Sequence, residues 1–160
     1  MATVKQQRKP VPVFDRVPPQ SIEAERSVLG AMLLNPEAVG TAIEILKDDA
    51  AGVFYAEPHQ LIYNAIVTLY RDAVPVDVVT LLERLTRENA IEKAGGPSYI
   101  ADLSGAVPTS ANVEYYSRIV LDAAVLRKLI TACSTIAGEA YESPGDVNGL
   151  LDKAEASMFS

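Results

Sequence analysis

Beyond position 20 the apolar residues recur with a helical period, and short polar or proline-containing breaks punctuate them. Ile22, Leu29, Met32 and Leu33 follow Ser21, a residue type that caps helices, and Glu23 and Glu25 lie in the first turn, where the helix dipole favours anions. Asn35-Pro36 ends this helix and opens a second, since Asn35 can cap and Pro36 suits a first helical position. Val39, Ala42, Ile43 and Leu46 give the second helix its apolar face. Lys47 to Gly52 reads as a loop, with Phe54 and Tyr55 behind it as core plugs. Pro58 opens a third helix whose Ile62, Ala65, Ile66 and Leu69 fall at i, i+3, i+4 and i+7. Pro75-Val76-Asp77 reads as a turn ending in the cap of a fourth helix, which buries Val78, Leu81, Leu82 and Leu85. Gly95-Gly96-Pro97 breaks the chain, and a short helix around Tyr99, Ile100 and Leu103 runs to Val107-Pro108. No alternating run is bounded by hairpin turns, so the expected class is all-α.

The last third has a different pattern. From about Ser110 to Glu142 there is no proline, and the one glycine is Gly138. Val113, Tyr116, Ile119, Val120, Leu126, Leu129, Ile130, Cys133, Ile136 and Tyr141 are among its apolar positions. Most of them fill an arc of about 140–160°, wider than the roughly 100° that one core requires. A helix of this length spans on the order of 48 Å and would outreach the small globule before it. Ser143-Pro144-Gly145 then reads as a turn, and Asp146 as the cap of a last helix with Val147, Leu150, Leu151, Ala154 and Met158. The expected organisation is an arm at 1–20, a globular helical head at 21–108, a long hairpin helix with its turn at 109–145, and a second hairpin helix at 146–160. A surplus apolar face of this kind needs cover, and a second copy of the chain is the economical cover because a two-fold interface is self-complementary. The alternative is a break near Asp122 that folds the helix back into one bundle.

Charge divides along the same lines. The first 20 residues hold Lys5, Arg8, Lys9 and Arg16 against Asp15, whereas the remainder holds 10 basic and 20 acidic residues. With four prolines and no periodicity, that first stretch reads as a disordered or extended basic arm. The net charge of −7 argues against a chain that grips a phosphate backbone by itself. At 160 residues and 49% hydrophobic composition the chain is an ordinary globular protein, with no apolar run approaching the roughly 20 residues of a membrane span. A single cysteine permits no internal disulfide, and a cytosolic chain is the simplest reading.

Catalytic patterns are lacking. No glycine precedes a lysine, so the phosphate-cradling loop is absent, as is GxGxxG. His59 is the one histidine. With neighbouring Glu57 it makes too few ligands for zinc, and it reads as a half-exposed helix residue. Cys133 lies on an apolar stripe and reads as a buried, inert thiol. Asp48, Asp49, Asp72 and Asp77 read as solvated loop and cap carboxylates. A helix-turn-helix across Tyr70 to Asp77 is the alternative reading. Its second helix carries Glu83, Arg84, Arg87 and Glu88, with no basic excess to meet phosphates.

Several blocks together carry a family resemblance. Arg16-Val-Pro-Pro-Gln-Ser-Ile-Glu-Ala-Glu-Arg-Ser-Val-Leu-Gly30 resembles the opening signature of bacterial replicative DNA helicases of the DnaB type. Phe54-Tyr55, the His59 to Tyr63 segment, Pro75 to Leu81, Gly95 to Tyr99, Val107 to Val120, Arg127 to Ile130 and Leu150 to Glu155 follow in the family's order. The resemblance implies an N-terminal domain alone, ending within the linker after Phe159, with the ATPase motor domain absent. It implies a collar in which hairpins pair into dimers and three dimers make a ring, and which receives the C-terminal helicase-binding domain of primase and, in some bacteria, a loader. It places the chain in the bacterial cytoplasm at the replication fork. ATP and magnesium would belong to the missing motor domain, as would DNA contact, leaving no cofactor, metal or catalytic residue here. Under it, Tyr99, Ile130 and Ile136 are expected near the primase-binding surface, and Tyr116, Ile119, Leu126 and Cys133 in the dimer seam.

Overall fold

The computed structural model describes residues 16–107, 109–142 and 145–159, and among these every regular element is a helix. The expected arm through Asp15, the Val107-Pro108 end at its proline, and the Ser143-Pro144 turn lie outside the described residues. Helix α1, Ile22–Leu34, is buried nearly all round, with Ala24, Glu25, Val28, Leu29, Gly30, Ala31, Met32 and Leu33 covered. It is the central strut of the head, against which the other helices are laid. Ser21 caps it by accepting from the Ala24 N–H at 3.2 Å, and Ile22, expected on the inner face, is exposed instead.

Asn35 serves two helices. Its N–H closes α1 on the Ala31 carbonyl, and its Oδ1 accepts from the Glu37 N–H at 3.0 Å to start α2, Pro36–Leu46. The expected loop after α2 contains a short helix, α3, Ala50–Val53, capped by Asp49, which accepts from the Gly52 N–H. Lys47 turns the chain at φ +61°, and the Tyr63 hydroxyl holds that turn by donating to the Lys47 carbonyl. Phe54 plugs the core beside Tyr63, ring centroids 4.8 Å apart, whereas Tyr55 stays half-exposed.

Helix α4, Glu57–Arg71, buries Ile62, Ala65, Ile66 and Leu69 as its period requires, together with His59 and Tyr63. Asp77 and Thr80 form a reciprocal capping box at the start of α5, Val78–Arg87, which inserts Leu81 and Leu85. Gly95 at φ +103° delivers the chain into α6, Gly96–Leu103, whose Ile100 and Leu103 reach the core. Helix α1 approaches α6 so closely that a Cβ at Gly30 would lie 2.2 Å from the Leu103 carbonyl oxygen.

After one 3-10 turn, Ser110–Asn112, helix α7 runs unbroken through Val113–Glu142. Thirty residues give about 45 Å at 1.5 Å each. Its buried residues, Val113, Ser117, Val120 and Ala124, all lie in the first half and face α1 and α2. Asp146 caps α8, Val147–Phe159, which returns along the second half of α7, with Lys153 holding Glu139 at 2.6 Å.

Gly30→Ala should therefore destabilise the chain, because the added carbon meets backbone rather than a movable side-chain end. A steric cost of about 3 kcal/mol would exceed the ~1 kcal/mol gained in helix propensity. Gly138→Ala, with no atom within 4 Å, should instead gain up to about 1 kcal/mol. Urea titrations of both variants check this; equal effects of one sign would refute the close α1–α6 crossing.

Candidate assembly and docking surfaces

Glu25 on α1 is 1% exposed, a carboxylate in an otherwise apolar stripe. Its oxygens accept from the Tyr55 N–H at 2.9 Å, the Ala56 N–H at 3.3 Å and His59 Nδ1 at 2.8 Å. Because a carboxylate can only accept, the proton sits on Nδ1, and in the neutral ring Nε2 accepts from the Tyr99 hydroxyl. His59 is 2% exposed, so the half-exposed position expected for it is wrong, and its partner is Glu25 rather than Glu57. One turn of α4 hides the imidazole, and a buried acceptor on α1 makes that tolerable. This chain of bonds links α1, the entry to α4 and α6.

Tyr99 is thereby half-buried at the head's edge, with its ring 6.0 Å from that of His59 and near parallel to it. The Arg26 guanidinium lies over the Tyr99 ring, 5.7 Å from the centroid. Around Tyr55 a second guanidinium does structural work. Arg127 of α7 stacks on that ring at 5.6 Å, while Nη1 donates to the Pro19 carbonyl at 2.8 Å and Nη2 to the Val53 carbonyl at 2.9 Å. Arg127 thus ties α7 to the segment entering α1 and to the end of α3. Lys128 adds an exposed contact to Asp49 at 3.4 Å.

Past Arg127 no residue of α7 is buried within the chain. Ile119 (36% exposed), Leu126 (49%) and Ile130 (41%), with Leu129 and Cys133, form an uncovered apolar face. At 100° per residue it lies about 140° round the helix from the row of Val113, Ser117, Val120 and Ala124. Cys133 is exposed, not buried as expected, because its stripe turns away from the head. Tyr116, expected in the same seam, is half-buried against the head's core, whereas its neighbour Tyr115 is exposed. Ile136 and Ile130 part company. Ile130 belongs to the open face, but Ile136 is half-buried along with Ala132 and Glu139, on the side that Lys153 marks as facing α8. Ile136, expected near the primase-binding surface, thus lies half-buried beside α8. No hydrogen bond or ring contact joins Tyr99 on the head to either isoleucine among the described residues.

The helix-turn-helix reading finds no free cations between α4 and α5. Arg71 pairs with Asp48, Arg84 with Asp72 at 3.2 Å, and Arg87 with Glu83. Asp48 and Asp72 are accordingly ion-paired rather than merely solvated. Among the described residues no three His, Cys, Asp or Glu side chains gather as a metal site, and no helix is long and apolar enough to cross a membrane.

Sequence order would have exposed some of this: Glu25, Val28, Leu29 and Met32 fall at i, i+3, i+4 and i+7, which puts a carboxylate on a buried stripe. Arg127 and Arg26 carry no such local signal, since their partners come from distant segments.

A helical head locked by a polar relay, carrying a long helix with an uncovered apolar face, defines an all-α domain with a protruding helical hairpin. The DnaB-like helicase N terminal domain model matches residues 17–122, and the chain belongs to that family. It is 44% identical over 145 residues to the replicative DNA helicase DnaC of Bacillus subtilis and 45% identical to the replicative DNA helicase DnaB of Geobacillus stearothermophilus. Each match covers 91% of this chain but 31% of the relative, so the chain spans about a third of the length of these proteins. The crystal structure of the N-terminal domain of DnaB helicase from Mycobacterium tuberculosis superposes with a TM-score of 0.83 at 38% identity, over 89% of this chain and 99% of that one.

Two phenols, buried Tyr63 and half-buried Tyr99, set an alkaline limit on the head. Burial, with the nearby Asp48 charge adding to it, pushes the Tyr63 hydroxyl far above its ordinary 10.0. Desolvation raises Tyr99 too, aided by Glu25 and opposed by Arg26. The fold thus favours both neutral phenols, so their contribution is complete below the unfolded value near 10 and is lost as pH rises above it. Melting temperature should fall above about pH 10, and Tyr63→Phe should fall less steeply there while losing the bond to Lys47. Parallel curves for parent and variant would contradict the assignment.

Proposed function

We propose that this chain is the collar module of a replicative DNA helicase, pairing hairpins with a second copy of itself and docking primase. The uncovered face of α7, opposite the row that packs on the head, carries this reading. Exposed side chains of this size at Ile119, Leu126, Ile130 and Cys133 favour burial at about 25 cal/mol per Å², and a two-fold axis across α7 would cover both copies at once. Three such dimers would make a ring. Tyr116 then supports the seam from the head side rather than lying within it. The division into arm at 1–20, head at 21–108, and hairpin at 109–145 and 146–160 is part of this reading: the head docks and the hairpin assembles.

Primase would meet the module through its C-terminal helicase-binding domain, with Tyr99 and Ile130 as contact residues and Ile136 acting through the hairpin's own packing; a helicase loader is a further partner. The module needs no cofactor. ATP, magnesium and DNA are handled by the motor region of the whole protein, in the bacterial cytoplasm at the fork, so the module alone neither hydrolyses ATP nor separates strands.

Light scattering over a concentration series should show dimers or larger species, and Leu126→Lys should shift them to monomer at unchanged helicity. A parent chain that stays monomeric at high micromolar concentration would sink the pairing. In primase titrations, Ile130→Glu should weaken binding by roughly tenfold or more, in the range of a truncated hot spot, with the circular dichroism intact. Ile136→Glu should weaken binding together with hairpin stability. Undiminished primase binding by Ile130→Glu would remove that residue from the docking surface.

A further inference from the structure

We propose that Arg26 and Tyr99 form a preformed receptor for a carboxylate side chain of the docking partner, a reading that rests on the primase docking proposed above. Five other described arginines are occupied in a telling way. Arg71, Arg84, Arg87 and Arg118 each hold a carboxylate, and Arg127 holds two carbonyls. Arg26 lies instead on an aromatic ring. Among the described residues no carboxylate comes within 4 Å of it, and its Nε is buried without a hydrogen-bond partner. The donors that remain for a ligand are those of the two terminal nitrogens, in the planar fork that matches a carboxylate.

The platform beneath this guanidinium is rigid. Tyr99 is held at its hydroxyl by His59, itself fixed by buried Glu25. At its edge the ring lies against Gly95, where a Cβ would come within 2.5 Å of Tyr99 Cδ1. Ring and guanidinium are therefore positioned before any partner arrives, which spares the ordering cost that weakens most surface contacts. Ile22 stands one turn before Arg26 on the same side of α1 and is exposed, so an aliphatic surface adjoins the charge. Tyrosine, arginine and an adjoining aliphatic side chain are the chemistry of a protein–protein hot spot.

A protein carboxylate fits this receptor better than a nucleic-acid phosphate. One cation gives a weak, salt-sensitive grip on a phosphate chain, and beyond residue 20 acidic residues outnumber basic ones two to one. A single buried-edge ion pair with a protein carboxylate needs no such field.

Calorimetric titration of the 160-residue chain with the C-terminal domain of primase, at low and moderate salt, tests the inference. Arg26→Gln should raise Kd roughly tenfold and flatten its salt dependence, and Arg26→Lys should fall between, at melting temperatures near the parent's. If the parent binds and Arg26→Gln binds equally well, the receptor is wrong and the docking reading stands. If the parent does not bind primase, both fall. Should Arg26→Gln fail to fold, the Arg26 guanidinium signals in the NMR spectrum of the parent decide: they should shift on adding the primase domain and stay still with a single-stranded oligonucleotide. Signals that ignore primase, or that answer the oligonucleotide, overturn the inference.

Discussion

A carboxylate removed from water must be met by donors at close range, and the head is arranged around meeting one. Desolvating Glu25 costs several kcal/mol, and two backbone amides plus one imidazole, each a charge-assisted bond of about 1.5–3 kcal/mol, offset it. The donors come from the turn after α3 and the first turn of α4, so their positions relative to α1 are dictated by bond length and direction rather than by apolar contact. Apolar packing tolerates sliding, whereas three directed bonds to one group do not. His59 then passes the constraint to α6 through Tyr99, which places that half-buried ring at a defined spot on the head's surface.

Helix α7 divides the labour of the molecule along a single rod. Its first half is a core helix, with residues at spacings of four, three and four buried against α1 and α2. Arg127 marks the end of that role: its two carbonyl bonds and its stack on Tyr55 anchor the rod where it leaves the head. Beyond it the helix is supported by α8 and carries its apolar residues outward. A rod this long keeps its exposed face in register with the head because no proline or mid-helix break interrupts its hydrogen bonds.

What could be read from the chain and what could not follow from how far apart the interacting residues lie. Caps and stripes are local: Ser21, Asn35, Asp77 and Asp146 all cap where residue type and spacing place them, and the all-α class follows from the same periodicities. The surplus face of α7 was legible as an arc too wide for one core. The errors are non-local. His59 sits 34 residues from Glu25 and 40 from Tyr99, so nothing in its neighbourhood announced that its polar atoms would be satisfied in the interior. The setting of Ile136 is hidden for a related reason: an arc drawn on one helix does not say which edge the returning α8 will cover. Cys133, on an apolar stripe that reads as buried, is exposed because its angle on α7 sets it apart from the row of Val113, Ser117, Val120 and Ala124.

These two constraints together account for an acidic domain within a family of DNA helicases. A surface of net negative charge is poorly suited to hold a strand, but it suits the protein-docking role proposed above, since it suppresses wrong, non-specific attachment to nucleic acid. Specificity must then come from a few prepared features rather than from the bulk field. The head supplies a ring and a guanidinium held in place by the Glu25 relay, and the hairpin supplies an apolar face held in place by the rod. Each is rigid because something buried fixes it: a carboxylate in one case, and four small or aliphatic residues packed on α1 and α2 in the other. Core and surface are therefore parts of a single arrangement in this chain, and a change to the polar relay should be felt at Tyr99 and Arg26, the proposed docking surface, before it is felt at the apolar face of α7.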